Sequence, residues 1–522
     1  MYKKIANFVS SNVSLLAISL VGLLLRLWHL TSISLWHDEA FSALLIKYSW
    51  GEMIHRIGLD VHPPLYYIAL RIWSYIFGHS LFSLRGMSVF FGIATIIAVY
   101  YFVYSAFQNR KAALLAALLV AVNPFQIQYV TEARMYTMGA FFAVAAAWSL
   151  TVALRSQVEY YATTTNLVLK AQLQKRFRWA YILFIFCSAV MMYTHYYLLF
   201  TVAALGFYGF IFCIVKFRGY IKRYLWLIIS GVAILALYLP WLKVFIFQLK
   251  QVGAGYWIPP MDQWSIPNTL WELMFRFPNP AKWMLVLISL VVIFILIRVL
   301  WKYSQAEKWL VTAGFLAPFA GALLFLGLAT LQDNSNSVYL VRYFIFCSAF
   351  YSIIVALWLS NLRIPQIGKL LAIALIGINL YSVWNYWDDL ELSAKPGMAG
   401  AAKFLNANVE PTHKIYLGSS FEFFNYKYYN RTNAKPLLFS NGSLTKDMPH
   451  FAGTAILTDE DLVQNFEEST KPGDIVWLMW TNGFGGSKPN VPGNWTQIDE
   501  KGFAEVRPYV GTWIIISEYR VN

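Results

Sequence analysis

Five short clusters in this 522-residue sequence combine residue types that can accept a proton or hold a phosphate. The first, Leu35-Trp-His-Asp-Glu-Ala-Phe41, sets two adjacent carboxylates, Asp38 and Glu39, beside His37 and Trp36. Carboxylates at the edge of an apolar stretch are expensive to desolvate, which points to a task for them. Acids near a helix start are also ordinary solvated residues, so the pair alone leaves both readings open. In the second cluster, Asp60-Val-His-Pro-Pro-Leu65, two prolines fix backbone φ and so aim Asp60 and His62; a plain helix start uses the same residues. Glu132-Ala-Arg-Met-Tyr136, Thr194-His-Tyr196 and Arg342-Tyr343 complete the set. In chemical terms, Arg134 and Arg342 offer planar forks suited to a phosphate, and Asp38 or Glu39 could take a proton from a hydroxyl. Asp60, His62, Tyr136, His195 and Tyr343 supply further polar contacts.

The elements that must position these clusters follow from composition. With 58% hydrophobic and 13% charged residues and a mean hydropathy of +0.52, the chain is too apolar for a soluble domain. A helix needs about 20 apolar residues to cross a bilayer core. Stretches of that kind lie near residues 12–30, 85–107, 111–128, 135–154, 179–194, 196–215, 224–242, 281–299, 309–331, 340–360 and 367–387, which predicts a polytopic all-α bundle of about 11 transmembrane helices. The first resembles a signal sequence, but no small-residue cleavage site follows and Arg26 interrupts it, so it reads as a retained span.

Loop charges support this assignment. It gathers 18 Lys and Arg residues, from Lys3 to Lys369, on one face with only Glu159 and Glu307, and sends Asp38, Glu39, Glu52, Asp60, Glu132, Asp262, Glu272 and Asp333 to the other. Basic loops face the cytoplasm, so all five clusters, and with them the active site, are expected on the non-cytoplasmic side. The same parity requires the apolar run 63–77 to lie along the interface as a juxtamembrane helix. Residues 31–84 then form a first large outer loop, and 243–280, with five prolines, a second.

After residue 387 short apolar runs alternate with turns, and a mixed α/β domain over 388–522 is expected outside the membrane. Strands are read at 414–418, 474–480 and 511–517, and helices at 420–430 and 458–468. This region holds 16 acidic and 12 basic residues, leaving 29 basic and 10 acidic in the membrane part. The net charge of +15 therefore reflects helix orientation, and no nucleic-acid partner is expected. Cys187, Cys213 and Cys347 fall in apolar runs without redox or metal spacing.

Asp38-Glu39 after the first span, His62-Pro63-Pro64-Leu65, Leu84-Arg85 with Ser88, Glu132-Ala-Arg134 with Tyr136, Thr194-His195-Tyr196 and Arg342-Tyr343 together resemble a known family. It comprises the dolichyl-phosphate-mannose protein mannosyltransferases and bacterial relatives such as the aminoarabinose transferase of lipid A and the Rgt-type transferases. The resemblance covers roughly residues 12–360. It implies a GT-C fold for residues 1–387, a polyprenyl-phosphate sugar donor and inversion at the anomeric carbon. It also implies that Asp38 is the base or acceptor-orienting carboxylate, that Glu39, His62, Arg134 and His195 are lesser candidates, and that Arg85 fixes the first loop to the bundle.

The expected function is an integral-membrane inverting glycosyltransferase that uses a lipid-linked sugar and a glycan, lipid or protein hydroxyl acceptor, in contact with membrane lipids. A transporter or lipid flippase is the rival. It predicts ionisable residues at mid-membrane and repeat symmetry, and the sequence has neither. An oligosaccharyl transferase would carry a tryptophan motif, of which Trp384-Asn-Tyr-Trp-Asp-Asp389 is a faint echo. The sequence identifies no cofactor, and the lipid-linked sugar is a substrate. A divalent cation at His37, Asp38 and Glu39 stays open, although adjacent residues seldom converge on one ion.

Overall fold

The computed structural model describes residues 2–254, 257–331, 337–506 and 511–522; Asp333 lies outside them. Among the described residues, eight helices are long and apolar enough to cross a membrane. Arg110–Val122 and Pro124–Val130, bent by 53°, make a ninth if they form one span. The other two expected spans are helices as well. Asn12–Leu27 is a shorter apolar helix, and Leu167–Met192 carries Lys170, Lys175, Arg176 and Arg178 in its first half. By length and composition the count therefore stops short of eleven.

The bent pair has a local cause. Pro124 has no N–H to continue the helix ladder, and Asn123 instead starts a new helix, its Oδ1 accepting from Gln126 N at 2.8 Å. The carbonyls freed at the break are taken by Arg26 of the first helix, Tyr2–Leu27. Arg26 donates to Val120 O at 3.0 Å and Ala121 O at 2.8 Å. Its side chain is fully buried, and Gly92 leaves room for it, since a Cβ there would lie 3.0 Å from Arg26 Nε. Past the bend, Thr131 to Tyr136 is buried rather than displayed at a helix tip.

Between the first helix and Leu81–Phe107 the first large loop folds into three helices, His37–Leu45, Trp50–Leu59 and Leu65–Phe77. The last has 13 residues, about 20 Å, too short for a bilayer core. It buries Tyr66, Tyr67 and Leu70 and exposes Ile72, Tyr75, Ile76 and Phe77, the amphipathic form expected of an interfacial helix.

The C-terminal region is a six-stranded mixed sheet: β1 (Lys414–Leu417), β2 (Pro436–Phe439), β3 (Leu462–Val463), β4 (Ile475–Thr481), β5 (Trp495–Ala504) and β6 (Trp513–Val521). Their order is β3-β2-β1-β4-β6-β5. The first four run parallel and β6 and β5 are antiparallel additions. The helix expected at 420–430 is present as Ser420–Tyr429. The one expected at 458–468 is instead a 3-10 turn, Asp459–Asp461, followed by β3 and a four-residue helix. Asp461 accepts from Thr458 N and Oγ1 and so closes a local turn, which competes with helix propagation.

Helix Ser420–Tyr429 docks this domain on the first loop. His37 packs against Phe421 and Phe424, with ring centroids 4.8 and 5.4 Å away. Leu35 N donates to Tyr429 Oη at 2.9 Å, and Arg56 donates to Ala455 O at 2.9 Å.

Candidate active site

A cavity of about 240 Å³ lies between the first-loop end of the bundle and the C-terminal domain. Asp38, Asp60, His62, Arg134, Tyr136, Arg342 and Tyr343 all line it, so seven of the nine candidate residues, from segments far apart in sequence, meet in one space.

Asp38 stands in the first turn of helix His37–Leu45, where the helix dipole favours an anion. Its Oδ2 is 3.5 Å from Arg342 Nη1 and 3.7 Å from Arg134 Nη2. Burial alone would raise the Asp38 carboxyl, but the two guanidinium charges outweigh it and hold it below the usual carboxylate range. Asp38 is therefore ionised at neutral pH. Its side chain keeps 29% of its surface exposed, against 3% for Arg134 and 20% for Arg342.

The two arginines are held differently. Arg134 donates through Nη1 to Asp38 O at 3.2 Å and Ser42 Oγ at 3.3 Å, and its Nη2 is 3.2 Å from His62 Nε2. A guanidinium only donates, so His62 Nε2 presents its lone pair and Nδ1 carries the proton. That proton goes to Asp60 Oδ2, 2.9 Å away. Burial raises the Asp60 carboxyl, while His62, the Arg134 charge and the Val61 N–H together more than offset it, and the net direction is down. Asp60, His62 and Arg134 thus form one hydrogen-bonded relay that fixes Arg134 beneath Asp38. Arg342, by contrast, lies over the Trp36 ring with its guanidinium carbon 4.9 Å from the centroid and keeps part of its fork toward the cavity.

Two candidates do not reach the cavity wall. Glu39, expected beside Asp38 as a second catalytic carboxylate, is turned into the protein and fully buried. Arg85 Nε and Nη2 donate to its two oxygens at 2.8 and 2.7 Å, and Ala133 N donates at 2.7 Å. The step of about 100° between successive helix residues turns Glu39 away from Asp38, and its bonds to Arg85 and Ala133 N hold it there. Arg85 also donates to Leu30 O and Ile33 O at 2.8 and 3.0 Å, pinning the loop start to the bundle as the family resemblance implied. His195 sits one layer behind, its ring 4.7 Å from Tyr343 and 6.2 Å from His62, with burial keeping it neutral.

His37, Asp38 and Glu39 do not fit a cation: Glu39 is spent on Arg85, Asp38 faces two arginines, and His37 packs on phenylalanines. Among the described residues, no group of three or more His, Cys, Asp or Glu side chains is placed to hold a metal ion.

Residues that the sequence did not single out line the rest of the cavity. They include Trp257 from the second outer loop and Phe421, Glu422, Asn425, Phe484, Glu505 and Thr512 from the C-terminal domain. Only the placement of the sheet brings them here. Glu422 sits in the run Phe-Glu-Phe-Phe-Asn-Tyr, which reads as the packing face of a helix.

No family model and no curated protein matches the sequence. Solved structures do match. ArnT from Cupriavidus metallidurans bound to undecaprenyl phosphate aligns over 98% of this chain and 98% of its own, with a TM-score of 0.60 at 11% identity. The same protein in its apo state gives 0.59 at 10% identity over the same shares. An Archaeoglobus fulgidus oligosaccharyltransferase aligns over 81% of this chain and 64% of its own, at 14% identity and a TM-score of 0.48. The match to ArnT runs through the bundle, the first loop and the C-terminal domain alike, and the chain has ArnT's fold, the GT-C fold that the sequence led us to expect.

Proposed function

We propose that the protein is an inverting membrane glycosyltransferase that moves a sugar from a polyprenyl phosphate to a hydroxyl acceptor on the non-cytoplasmic face. The observation that carries this reading is the ionised Asp38 carboxylate, set between Arg134 and Arg342 on the wall of one cavity at the loop end of the bundle. The fold shared along its whole length with ArnT, solved with undecaprenyl phosphate, supports the donor class. Charged groups gathered at one end of the bundle do not favour a transporter.

In the proposed reaction Arg342 meets the donor phosphate with the part of its fork that Asp38 does not occupy, and Arg134 adds charge from beneath. The acceptor hydroxyl gives its proton to Asp38. Its oxygen attacks the anomeric carbon opposite the phosphate, the bond from that carbon to the phosphate oxygen breaks, and polyprenyl phosphate leaves with the electron pair. A carboxylate held low by two arginines is a weak base. Donor phosphate relieves this by drawing on the same cations, so Asp38 becomes more basic once the donor is in place. Asp60, His62, Tyr136 and Tyr343 complete the wall, and Glu39 and His195 support it from behind.

The test is to incubate purified protein with a panel of polyprenyl-phosphate sugars and candidate acceptors and to follow release of polyprenyl phosphate. Release that depends on Asp38 supports the reading. A protein that binds these lipids and never releases the sugar overturns it.

A further inference from the structure

The C-terminal domain does more than cover the cavity. Glu422 and Glu505 are 4% and 5% exposed, both line the cavity, and among the described residues neither has an ion-pair partner. Among the described residues their carboxyls accept only long hydrogen bonds, from Asn425 Nδ2 to Glu422 Oε2 and from Thr512 Oγ1 to Glu505 Oε2, each 3.4 Å. Asn425, 3% exposed and lining the same wall, has no partner for its Oδ1 among the described residues, and His37 Nδ1 beside it has none either. Buried polar atoms are normally satisfied, so unspent acceptors around one space point to a ligand with donors of its own.

The sheet topology points to the same place. From β1 the chain passes to β2 on one side and later returns to β4 on the other, and the crevice at the carboxyl ends of such a strand pair is where α/β sheets bind ligands. Phe421 and Glu422 follow β1, and Thr481, Gly483 and Phe484 end or follow β4. Aromatic faces stand beside the carboxyls: Phe421 and Phe484 pack with centroids 5.0 Å apart, and Trp257 and Phe484 at 6.0 Å. A flat apolar wall next to several acceptors suits a sugar ring, which presents C–H groups on its face and hydroxyl donors at its edge. Burial raises both carboxyls, and Glu422 raises Glu505 further, so the pair holds a proton at neutral pH and can donate as well as accept.

We propose that Glu422, Glu505 and Asn425 form a sugar-hydroxyl subsite through which the C-terminal domain sets which sugar the cavity accepts. This rests on the glycosyltransferase reading and deepens it. The hydroxyls can belong to the transferred sugar or to the acceptor, and the test separates the two.

In one arm, undecaprenyl phosphate and its glucosyl, mannosyl and galactosyl derivatives are titrated into the full chain in detergent. In the other, methyl glycosides of the three sugars are titrated into protein with and without undecaprenyl phosphate. We expect wild type to gain at least ~10-fold from a sugar in one arm, and Glu422→Gln and Glu505→Gln each to lose most of that gain, the size expected when the partner of a buried hydrogen bond is exchanged for one of the wrong polarity. Affinity for bare undecaprenyl phosphate should not change. Asn425→Ala carries the same readout if a Gln variant fails to fold. Folded variants that keep the full gain, or a wild type that gains nothing in either arm, overturn the proposal. Failure of bare undecaprenyl phosphate to bind would instead count against the donor reading, while the glycoside arm still decides the subsite.

Discussion

Replacing Glu39 by Gln separates structure from chemistry at the pair of carboxylates that the sequence places side by side. Glu39 is fully buried, Arg85 is 1% exposed, and two bonds of 2.7 and 2.8 Å join them. Removing the charge leaves the Arg85 guanidinium uncompensated away from water, a change that costs about 3–5 kcal/mol when one partner of a buried pair is lost. The Gln amide makes it worse. Both Glu39 oxygens accept, Oε1 from Arg85 Nε and Ala133 N and Oε2 from Arg85 Nη2, so the new NH2 must face a donor whichever way it turns. Thermal unfolding of the purified protein in detergent should fall by several degrees. Turnover per folded molecule, measured well below the transition, should stay within about tenfold of wild type. A variant that melts like wild type but loses ~10²-fold or more in turnover would refute the argument and return Glu39 to the reaction itself.

Asp38→Asn should reduce turnover at least ~10²-fold with saturating substrates, while affinity for polyprenyl phosphate holds or rises because a like charge beside two arginines is gone; near-normal turnover would show that Asp38 is not the base. Arg342→Lys keeps the charge but loses the planar fork, and should weaken donor binding more than Arg134→Lys does, since Arg134 spends its nitrogens on Asp38 O, Ser42 and His62; equal effects would remove the distinction drawn between them. Cysteines introduced at the exposed Ser49 and Ser487 should both react with an impermeant thiol reagent in intact cells, and labelling at only one would break the proposed sidedness. The acids Glu422 and Glu505 are raised from 4.5 to about 7 and about 9. The native state therefore binds more protons than the unfolded one above pH 4.5, and stability should fall as pH rises through that range. Glu505→Gln should flatten the fall in melting temperature, and an unchanged slope would rule the pair out as its source.

The helical bundle, three of the six strands and seven residues of the cavity wall were legible because they follow from composition and local pattern. Long apolar runs, alternating loop charges and the Asp38, His62, Arg134 and Arg342 clusters each speak from a few neighbouring residues. What stayed hidden depends on contacts between distant segments. The span expected at 111–128 runs straight through Asn123-Pro124, whereas the chain bends there by 53° and Arg26, from another helix, satisfies the opened carbonyls. Asp38 and Glu39 look equivalent in sequence and differ only because a helix turns them toward an open cavity and toward Arg85. Glu422 and Glu505 lie more than 80 residues apart in a stretch rich in acids, and only the order of the strands brings them to one wall.

The bond from Arg26 to the break has a consequence for how the chain is made. Two of its three acceptors lie 94 and 95 residues downstream, so when the first helix leaves the ribosome its arginine has only Gly22 O, 3.1 Å away in the same helix, as a partner. An arginine in a hydrocarbon layer costs about 2.5–3.5 kcal/mol on insertion scales and is relieved by reaching for the headgroups. Arg26 lies one residue from the end of its helix, which makes that reach short and holds the helix shallow in the bilayer. At roughly 5–20 residues per second of synthesis, the segment around 120 follows some 5–20 s later. Only then are the two carbonyls of the break in place to complete the arginine's hydrogen bonds, so the burial of the first helix's end depends on a later part of the same chain.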